Sequence, residues 1–576
     1  MVSMKKHSII ALVLLGALSP GCVKEEVAGQ AGHDKVVTLT TTVSLAEAPG
    51  TKALTAEGVK TFAVGDQVAI VYTNTADATV KAVSNALLAE DIASDGKIAT
   101  LTVTLTDPAP SGAVRYIYPA AMAKETVASD ATIDDAGTID FSRLSTQDGT
   151  LATLAGSYDL ATFDGTLTGG ATLPASITLT NPLTICEFTI MNTKAASVLT
   201  PTLTGLWVSD GTNSYAVSRT AAAGPIYVAM RPVASSATIT FAAQTDTKYY
   251  EREVTGKTLA AGKMYPVSVR MTKTHTVNLA RLCNNYEAQD GETLTGKLAL
   301  CKQITIADGA TVTLNDVDIN GDDTFTTGAF PGITCNGDAT LTLEGTNTVR
   351  GCKSGYPGIY PPKNKTLTIN GTGKLFAYSK GSNAAGIGGG SVINYANCGN
   401  IVIQSGEITA IATYGGAGIG GGYIRGVSCS CGDITITGGM VTATGGDSAA
   451  GIGTGYAYIG SNKIAITNQC GNITITGGTV TATGGAGAAG IGLGYTTGGN
   501  GNHTNLDYAY NKCGTITISG GHVTAIRGSL YAYCIGKGAY ENEHHELTCG
   551  AITIGGVDKG TDGVNPDSGD TYVYQP

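Results

Sequence analysis

From Val36 to Lys273 apolar and polar side chains alternate in short runs that Gly, Pro, Asp and Asn interrupt. The runs 36–45 (VVTLTTTVSL), 66–74 (DQVAIVYTN), 98–105 (IATLTVTL), 114–120 (VRYIYPA), 183–192 (LTICEFTIMN), 237–243 (ATITFAA) and 264–272 (MYPVSVRMT) follow a period of two. That period predicts strands with one buried face, and many short strands separated by turns predict antiparallel β-sandwiches. The length of the region suits two of them. No convincing amphipathic helix stands out.

The pattern changes after residues 275–300 (HTVNLARLCNNYEAQDGETLTGKLAL). Residues 381–560 hold 45 of the 80 glycines, and an Ile-Thr-Ile element recurs at Ile434, Ile473, Ile516 and Ile552. A variant (IVI) starts at Ile401, and weaker copies start at Ile304, Leu341 and Leu367. In the copy from Cys431 to Gly455, Ile434 and Ile436 alternate with threonine, as do Val441 and Ala443, and a third apolar piece surrounds Ile452. Glycine pairs separate the three pieces, which predicts a three-sided coil with Ile and Val inside and Thr outside. One coil cannot bury its own apolar residues, whereas stacked coils share a core. The prediction is a right-handed parallel β-helix of about eight rungs, in a chain that is all-β throughout.

Cys398, Cys431, Cys470, Cys513 and Cys549 each precede the glycine that opens a rung. Equivalent positions of successive coils stack about 4.8 Å apart, so an inward ladder of unpaired thiols is expected, with adjacent-rung bridges as the alternative. Cys335, Cys352, Cys429 and Cys534 fall off that register and are the better candidates for a bridge.

Only 14% of residues are charged and the net charge is −10, which excludes the basic stripe that a nucleic-acid partner requires. At the N-terminus Lys5 and Lys6 precede an apolar run (8–18) and SPGC ending at Cys22. This reads as a secretory signal too short to span a membrane. A cysteine at the cleavage point predicts a bacterial lipoprotein acylated at Cys22, with the lipid as its sole membrane attachment. The following VKEE resembles the export signal of surface lipoproteins in gut-type Gram-negative anaerobes, which implies an outer-membrane protein exposed at the cell surface.

The phrases FAVGDQVAIVYTN (62–74), NPLTICEFTI (181–190) and LAAGKMYPVSVRMTK (259–273) resemble the fimbrillin family of surface lipoproteins. The resemblance implies fimbrillin-like β-sandwich domains and a role as pilus subunit or single adhesin. In the best-known members, cleavage after an early arginine licenses polymerisation. No arginine lies between Val23 and Arg115, so that route is not expected here. The phrases CGDITITGGMVTATGG, CGNITITGGTVTATGG and AAGIGTG resemble carbohydrate-binding β-helix modules, which share a superfold with pectate lyases. The chain thus divides into a lipoprotein signal peptide with its acylated Cys (1–22), a flexible tether (23–35) and a fimbrillin-like sandwich pair (36–273). A linker or solenoid cap (274–300), β-helix repeats (301–560) and a C-terminal tail (561–576) follow.

The rungs are nearly featureless, so recognition is expected in the inserts 391–397, 423–430, 456–469, 495–512 and 539–548, which all leave from one corner. They concentrate Tyr395, Tyr423, Tyr456, Tyr458, Tyr495, Tyr508, Tyr510 and Tyr540 among Asn and Thr. Tyrosine offers an apolar face with a hydroxyl tip and Asn both donates and accepts, which suits sugar rings. A lyase or hydrolase site would need aligned carboxylates, and Glu407, Asp433 and Asp447 have none on the next rung, so no enzymatic activity and no cofactor is expected. DVDINGDD (316–323) places Asp316, Asp318, Asn320 and Asp322 like the start of a Ca²⁺ loop, but Thr327 stands where the bidentate Glu belongs; the plainer reading is a strand ending in an Asn-Gly turn. The adjacent His544 and His545 read as part of a solvated insert. The expected function is non-catalytic adhesion to glycan or to a host or bacterial surface. The alternatives are a pilus-associated structural or tip protein without sugar ligand and, third, a polysaccharide-degrading β-helix.

Overall fold

The computed structural model describes residues 24–26, 35–45, 61–123 and 142–576, apart from 159, 169–171, 175–176, 195–196, 299–301, 321–327, 380, 382, 426–427, 460–465, 499–508, 542–544 and 568. Cys22, Tyr508, Asp322 and His544 therefore lie outside the described residues.

Val36–Leu45, Ala69–Thr73, Ile98–Thr106, Ala113–Tyr118, Thr184–Asn192, Ile239–Gln244 and Met264–Lys273 are strands on the alternating runs. In the first of them Val37, Leu39, Val43 and Leu45 are buried. The first sandwich faces one four-stranded sheet (Lys24–Glu26, Val36–Leu45, Ile98–Thr106, Ile177–Leu179) against another (Thr79–Val83, Ala69–Thr73, Ala113–Tyr118, Ala161–Thr166). Leu39, Leu101, Ile70 and Tyr116 share its core. Lys24–Glu26, in the segment read as a tether, pairs antiparallel with Val37–Leu39. The second domain is one eight-stranded sheet curled around Phe188, Leu206, Val217, Val228 and Phe241. It also holds a helix that the alternation hides, Leu151–Ser157, whose N-cap Thr150 accepts a hydrogen bond from the Thr153 N–H.

The repeat region is a three-faced parallel β-helix. Face A runs from Thr276–Asn278 through Ile434–Ile436, Ile473–Ile475 and Ile516–Ile518 to Ile552–Ile554. Face B includes Glu407–Ile411, Met440–Thr444, Thr479–Thr483 and His522–Ile526, and face C runs from Tyr286–Ala288 to Ile535–Gly536. Equivalent residues stack in register: Ile434 on Ile473 on Ile516, and Val441 on Val480 on Val523. One continuous core reaches from Val277 to Ile554. Residues 274–300, read as a linker or cap, already carry coil strands: Thr276–Asn278 and Thr293–Lys297 pair in parallel. Face C has ten strands, of which the last, Gly563–Val564, is antiparallel to the rest, so the other nine stack as parallel rungs, in line with the expected eight or so.

Two glycine positions make the stacking workable. Gly453 (φ +136°) and Gly492 (φ +127°) follow the isoleucine of face C, and a Cβ on Gly453 would overlap the Gly492 carbonyl oxygen. The Cys-Gly-Asn/Asp phrase has a second cause. The Asp433 N–H donates to Asn400 Oδ1 (2.9 Å), the Asn472 N–H to Asp433 Oδ1 (2.7 Å) and the Thr515 N–H to Asn472 Oδ1 (2.9 Å). Each Asx side chain thus crosses to the coil above, and a Cβ on Gly471 would overlap Asp433 Oδ1. Asn472→Ala removes this bond and the one that the Thr515 hydroxyl donates to the same oxygen. It should lower stability by about 1–2 kcal/mol in a denaturant titration, while Asn472→Asp, matching position 433, should restore most of it.

Both ends of the solenoid are covered. At the first coil, Ala242 and Tyr249 of the second domain are members of the solenoid core, and Trp207 packs against it. Gln244 Oε1 accepts from the Cys283 and Asn284 N–H groups, and Arg281 Nη1 pairs with Glu251 at 2.7 Å. At the far end the segment read as a tail, 561–576, is a cap: Thr571–Tyr574 pairs antiparallel with His522–Ile526, and Tyr572 and Tyr574 pack on the core. Among the described residues no helix is long and apolar enough to cross a membrane.

Candidate functional site

The inserts do not simply bulge from their corner. Their outgoing arms, Ile424–Arg425, Ala457–Ile459 and Thr496–Gly498, stack as one parallel sheet. Their returning arms, Cys429–Ser430, Ile466–Cys470, Ala509–Cys513 and Glu546–Cys549, stack as another. Ala396, Ile424, Cys429, Ala457, Ile466 and Ala509 form a small core of their own. Asn468 and Asn511, both buried, tie the returning arms to the coil through Nδ2 donors to the Gly455 and Gly494 carbonyls at 2.9 and 3.0 Å. The result is a lateral wing that repeats with the coils. His545, read as solvated, is buried within the last insert.

Tyr423, Tyr456 and Tyr495 precede in-register residues of the outgoing sheet and form a column along the wing's root. The Tyr456 N–H donates to the Gly415 carbonyl and the Tyr495 N–H to that of Ser448, each on the preceding coil. The rings lean on the facing corner, where a Cβ on Gly415 would lie 2.7 Å from Tyr423 Cβ and one on Gly487 2.7 Å from the Tyr495 ring. Ring centroids are 5.2 Å apart for Tyr423 and Tyr456 and 6.1 Å for Tyr456 and Tyr495, the latter pair within 11° of parallel. The Tyr456 hydroxyl is hydrogen-bonded to Thr497. Burial pushes the Tyr423 phenol up to about 12 and raises those of Tyr456 and Tyr495, so all three hydroxyls remain protonated donors at neutral pH. Tyr458 lies 6.4 Å from Tyr456, with the Arg425 guanidinium 5.5 Å from its ring centre.

The other candidates are dispersed. Tyr395 packs edge-on against Tyr356 and Tyr360. Tyr510 is on the returning sheet with Lys512 Nζ 4.9 Å from its ring centre, and Tyr540 is 53% exposed at the last coil. Two aromatic positions join the picture from outside the inserts. Tyr414 is 45% exposed and 6.2 Å from Tyr423, and Tyr531 is 86% exposed beside exposed Leu530. Both lie at the glycine corner where the neighbouring copies read Gly-Gly-Asp (445–447) and Gly-Gly-Ala (484–486), and that break in the repeat is the signal that could have found them.

The Ca²⁺ candidates are otherwise engaged. Asp316 is the extra residue of a β-bulge (φ +54°) that bends its strand from face A to face B, and its Oδ1 accepts from the Thr346 N–H at 2.8 Å. Asp318 pairs with Lys297 at 3.5 Å and Asn320 Nδ2 donates to the Arg350 carbonyl. Among the described residues no group of three or more His, Cys, Asp or Glu is placed to hold a metal ion. The cysteine ladder is present, but it is not wholly unpaired: Cys398 and Cys431 form a disulfide, whereas Cys470, Cys513 and Cys549 are free and buried. Of the off-register cysteines, Cys335, Cys429 and Cys534 are free and Cys352 is bridged.

Residues 367–391, 434–456, 473–495 and 516–539 match the family model of the beta helix repeat. Four segments of the chain are thus similar to that repeat. Each match spans a face A strand, a face B strand and a face C strand, so the repeat is one coil of the solenoid and the inserts lie between copies. No curated protein matches the chain. Among solved structures, similarity is found to a fimbrial assembly protein from Parabacteroides distasonis (10% identity, TM-score 0.24, covering 40% of this chain and 89% of that one). Two candidate cell adhesion proteins, from Bacteroides fragilis (13%, 0.22, 40% and 93%) and Bacteroides uniformis (14%, 0.23, 41% and 96%), are similar to the same low degree.

Proposed function

We propose that this chain is a non-catalytic adhesin of the cell surface, anchored in the outer membrane by a lipid on Cys22, that binds glycan along the root of the wing. The column Tyr423, Tyr456 and Tyr495, flanked by Tyr414 and Tyr458, carries the reading. It is a preorganised row of donor hydroxyls and half-buried rings, repeated at the coil spacing on a scaffold that needs no ordering on binding. Because the column rings lie against one another, a ligand meets their edges and hydroxyls, with the open ring of Tyr414 as the apolar contact. Of the rung carboxylates, Glu407 pairs with Lys374 at 2.8 Å and Asp433 is spent on the Asx ladder, and Glu541 is the carboxylate whose charge acts on the Tyr495 phenol. This supports binding without turnover.

The test is a glycan array probed with the full chain. At least one linear glycan should bind, and the combined Tyr423→Phe, Tyr456→Phe and Tyr495→Phe variant, which keeps the packing, should lose at least tenfold in affinity, about 1.4 kcal/mol. An empty array would favour the structural, pilus-associated reading. Full binding by the triple variant would move the site elsewhere, and sugar fragments released on long incubation would show an enzyme.

A further inference from the structure

We propose that Cys513 is a disulfide-forming site, shared between two partners, at which a small-molecule or protein disulfide closes a bridge to Cys549. The parallel register places Cys470 opposite Cys513 and Cys513 opposite Cys549. Cys513 thus has one ladder cysteine on the coil before it and one on the coil after it, and its own thiol donates to the Gly471 carbonyl at 3.7 Å. In-register neighbours of parallel strands are about 4.8 Å apart, inside the range that a disulfide spans. The same ladder shows this: Cys398 and Cys431, one coil apart and at the same position of the rung, are bridged with a Cα–Cα distance of 4.5 Å. Three thiols cannot all pair, so the remaining ladder takes one bridge and keeps one thiol. Exposure decides which. Cys470 is 0% exposed, whereas Cys513 and Cys549 are 6% and 7% exposed, so an oxidant reaches the outer pair first.

The step is ordinary exchange. The Cys549 thiolate attacks the incoming disulfide and expels one thiolate from it. The Cys513 thiolate then attacks Cys549 Sγ in the mixed disulfide and expels the second. Two cysteine thiols become one cystine, and the oxidant leaves as two thiols carrying the two protons. The two thiol neighbours and burial hold Cys513 well above its ordinary range, which makes the closing step slow in the folded protein. The product would staple the last two inserts of the wing together.

The experiment incubates the folded full chain with oxidised glutathione, blocks free thiols, and maps cross-linked peptides by mass spectrometry. One new linked pair, Cys513–Cys549, is expected beside Cys398–Cys431 and the existing bridge of Cys352. Cys549→Ser should redirect the bridge to Cys470–Cys513, and Cys513→Ser should abolish ladder oxidation. The proposal is overturned by a wild-type chain that gains no bridge, retains glutathione on Cys513 or Cys549, or links Cys470 to Cys429 or Cys513 instead. It is overturned equally if Cys513→Ser still forms a bridge among these residues, and loss of all bridging in Cys549→Ser removes the shared role.

Discussion

Gly492→Val should destabilise the solenoid by about 3–6 kcal/mol, enough to unfold its distal coils at room temperature. Two independent costs combine. A β-branched residue at φ +127° is forced into backbone that L side chains rarely adopt, and its Cβ would overlap the Gly536 carbonyl oxygen on the next coil. Neither coil can retreat, because the Leu493 N–H already donates to that same Gly536 carbonyl and the Thr454 N–H donates to Gly492. Gly560→Ala separates the two costs. Gly560 has φ +81° but no atom lies within 4 Å of an added Cβ, so only the backbone term of about 1 kcal/mol applies. Thermal melts followed by circular dichroism should show a large loss for the valine variant and a small one for the alanine variant. Equal shifts would mean that coil-to-coil crowding does not explain the glycines of the repeat.

The repeat was readable because its information is periodic. Ile434, Val441 and Ile452 recur at fixed offsets, and any fold that buries them all must stack the copies. The wing lacks such a signal. Its outgoing strands align Ile424 with Ala457 and Thr496, three residues with no common character, and the inserts differ in length. Their pairing is imposed by coils that already hold their roots at strand spacing. Nor could the state of the cysteines be read: the ladder position follows from the phrase Cys-Gly, but whether two sulfurs bond depends on local sulfur geometry and redox history. The junction shows the same limit. Gln244 and Tyr249 fall in the region read as a sandwich pair (36–273) without any mark of their own, and only the folded chain brings them to Cys283 and the open first coil. For the candidate site, tyrosine enrichment pointed to the insert corner, but it could not separate the stacked column at 423, 456 and 495 from Tyr395 or Tyr510, which pack elsewhere.

Removal of residues 561–576 should make the chain associate end to end. A parallel β-helix terminates in unpaired strand edges over an open core, which is a template for another chain. Here Thr571–Tyr574 occupies the edge at Val523–Ile526 and Gly563–Val564 the edge at Ile535–Gly536. Arg527, nearly buried, holds the segment through Asp570 at 3.0 Å, and Lys537 holds it through Asp562 at 2.7 Å. Truncation would bare Val523, Ala525 and Ile535 and strip the cover of Tyr572 and Tyr574, a loss of roughly 3–6 kcal/mol at ~1.5–3 kcal/mol per large apolar side chain. Sedimentation velocity should show species growing with concentration, and Lys substitutions at Thr524 and Ile526, which face outward on the same edge strand, should suppress them in the truncated chain by charging the edge. A truncated chain that stays monomeric and melts like the full one would show that the terminal strands merely lie on a solenoid already closed.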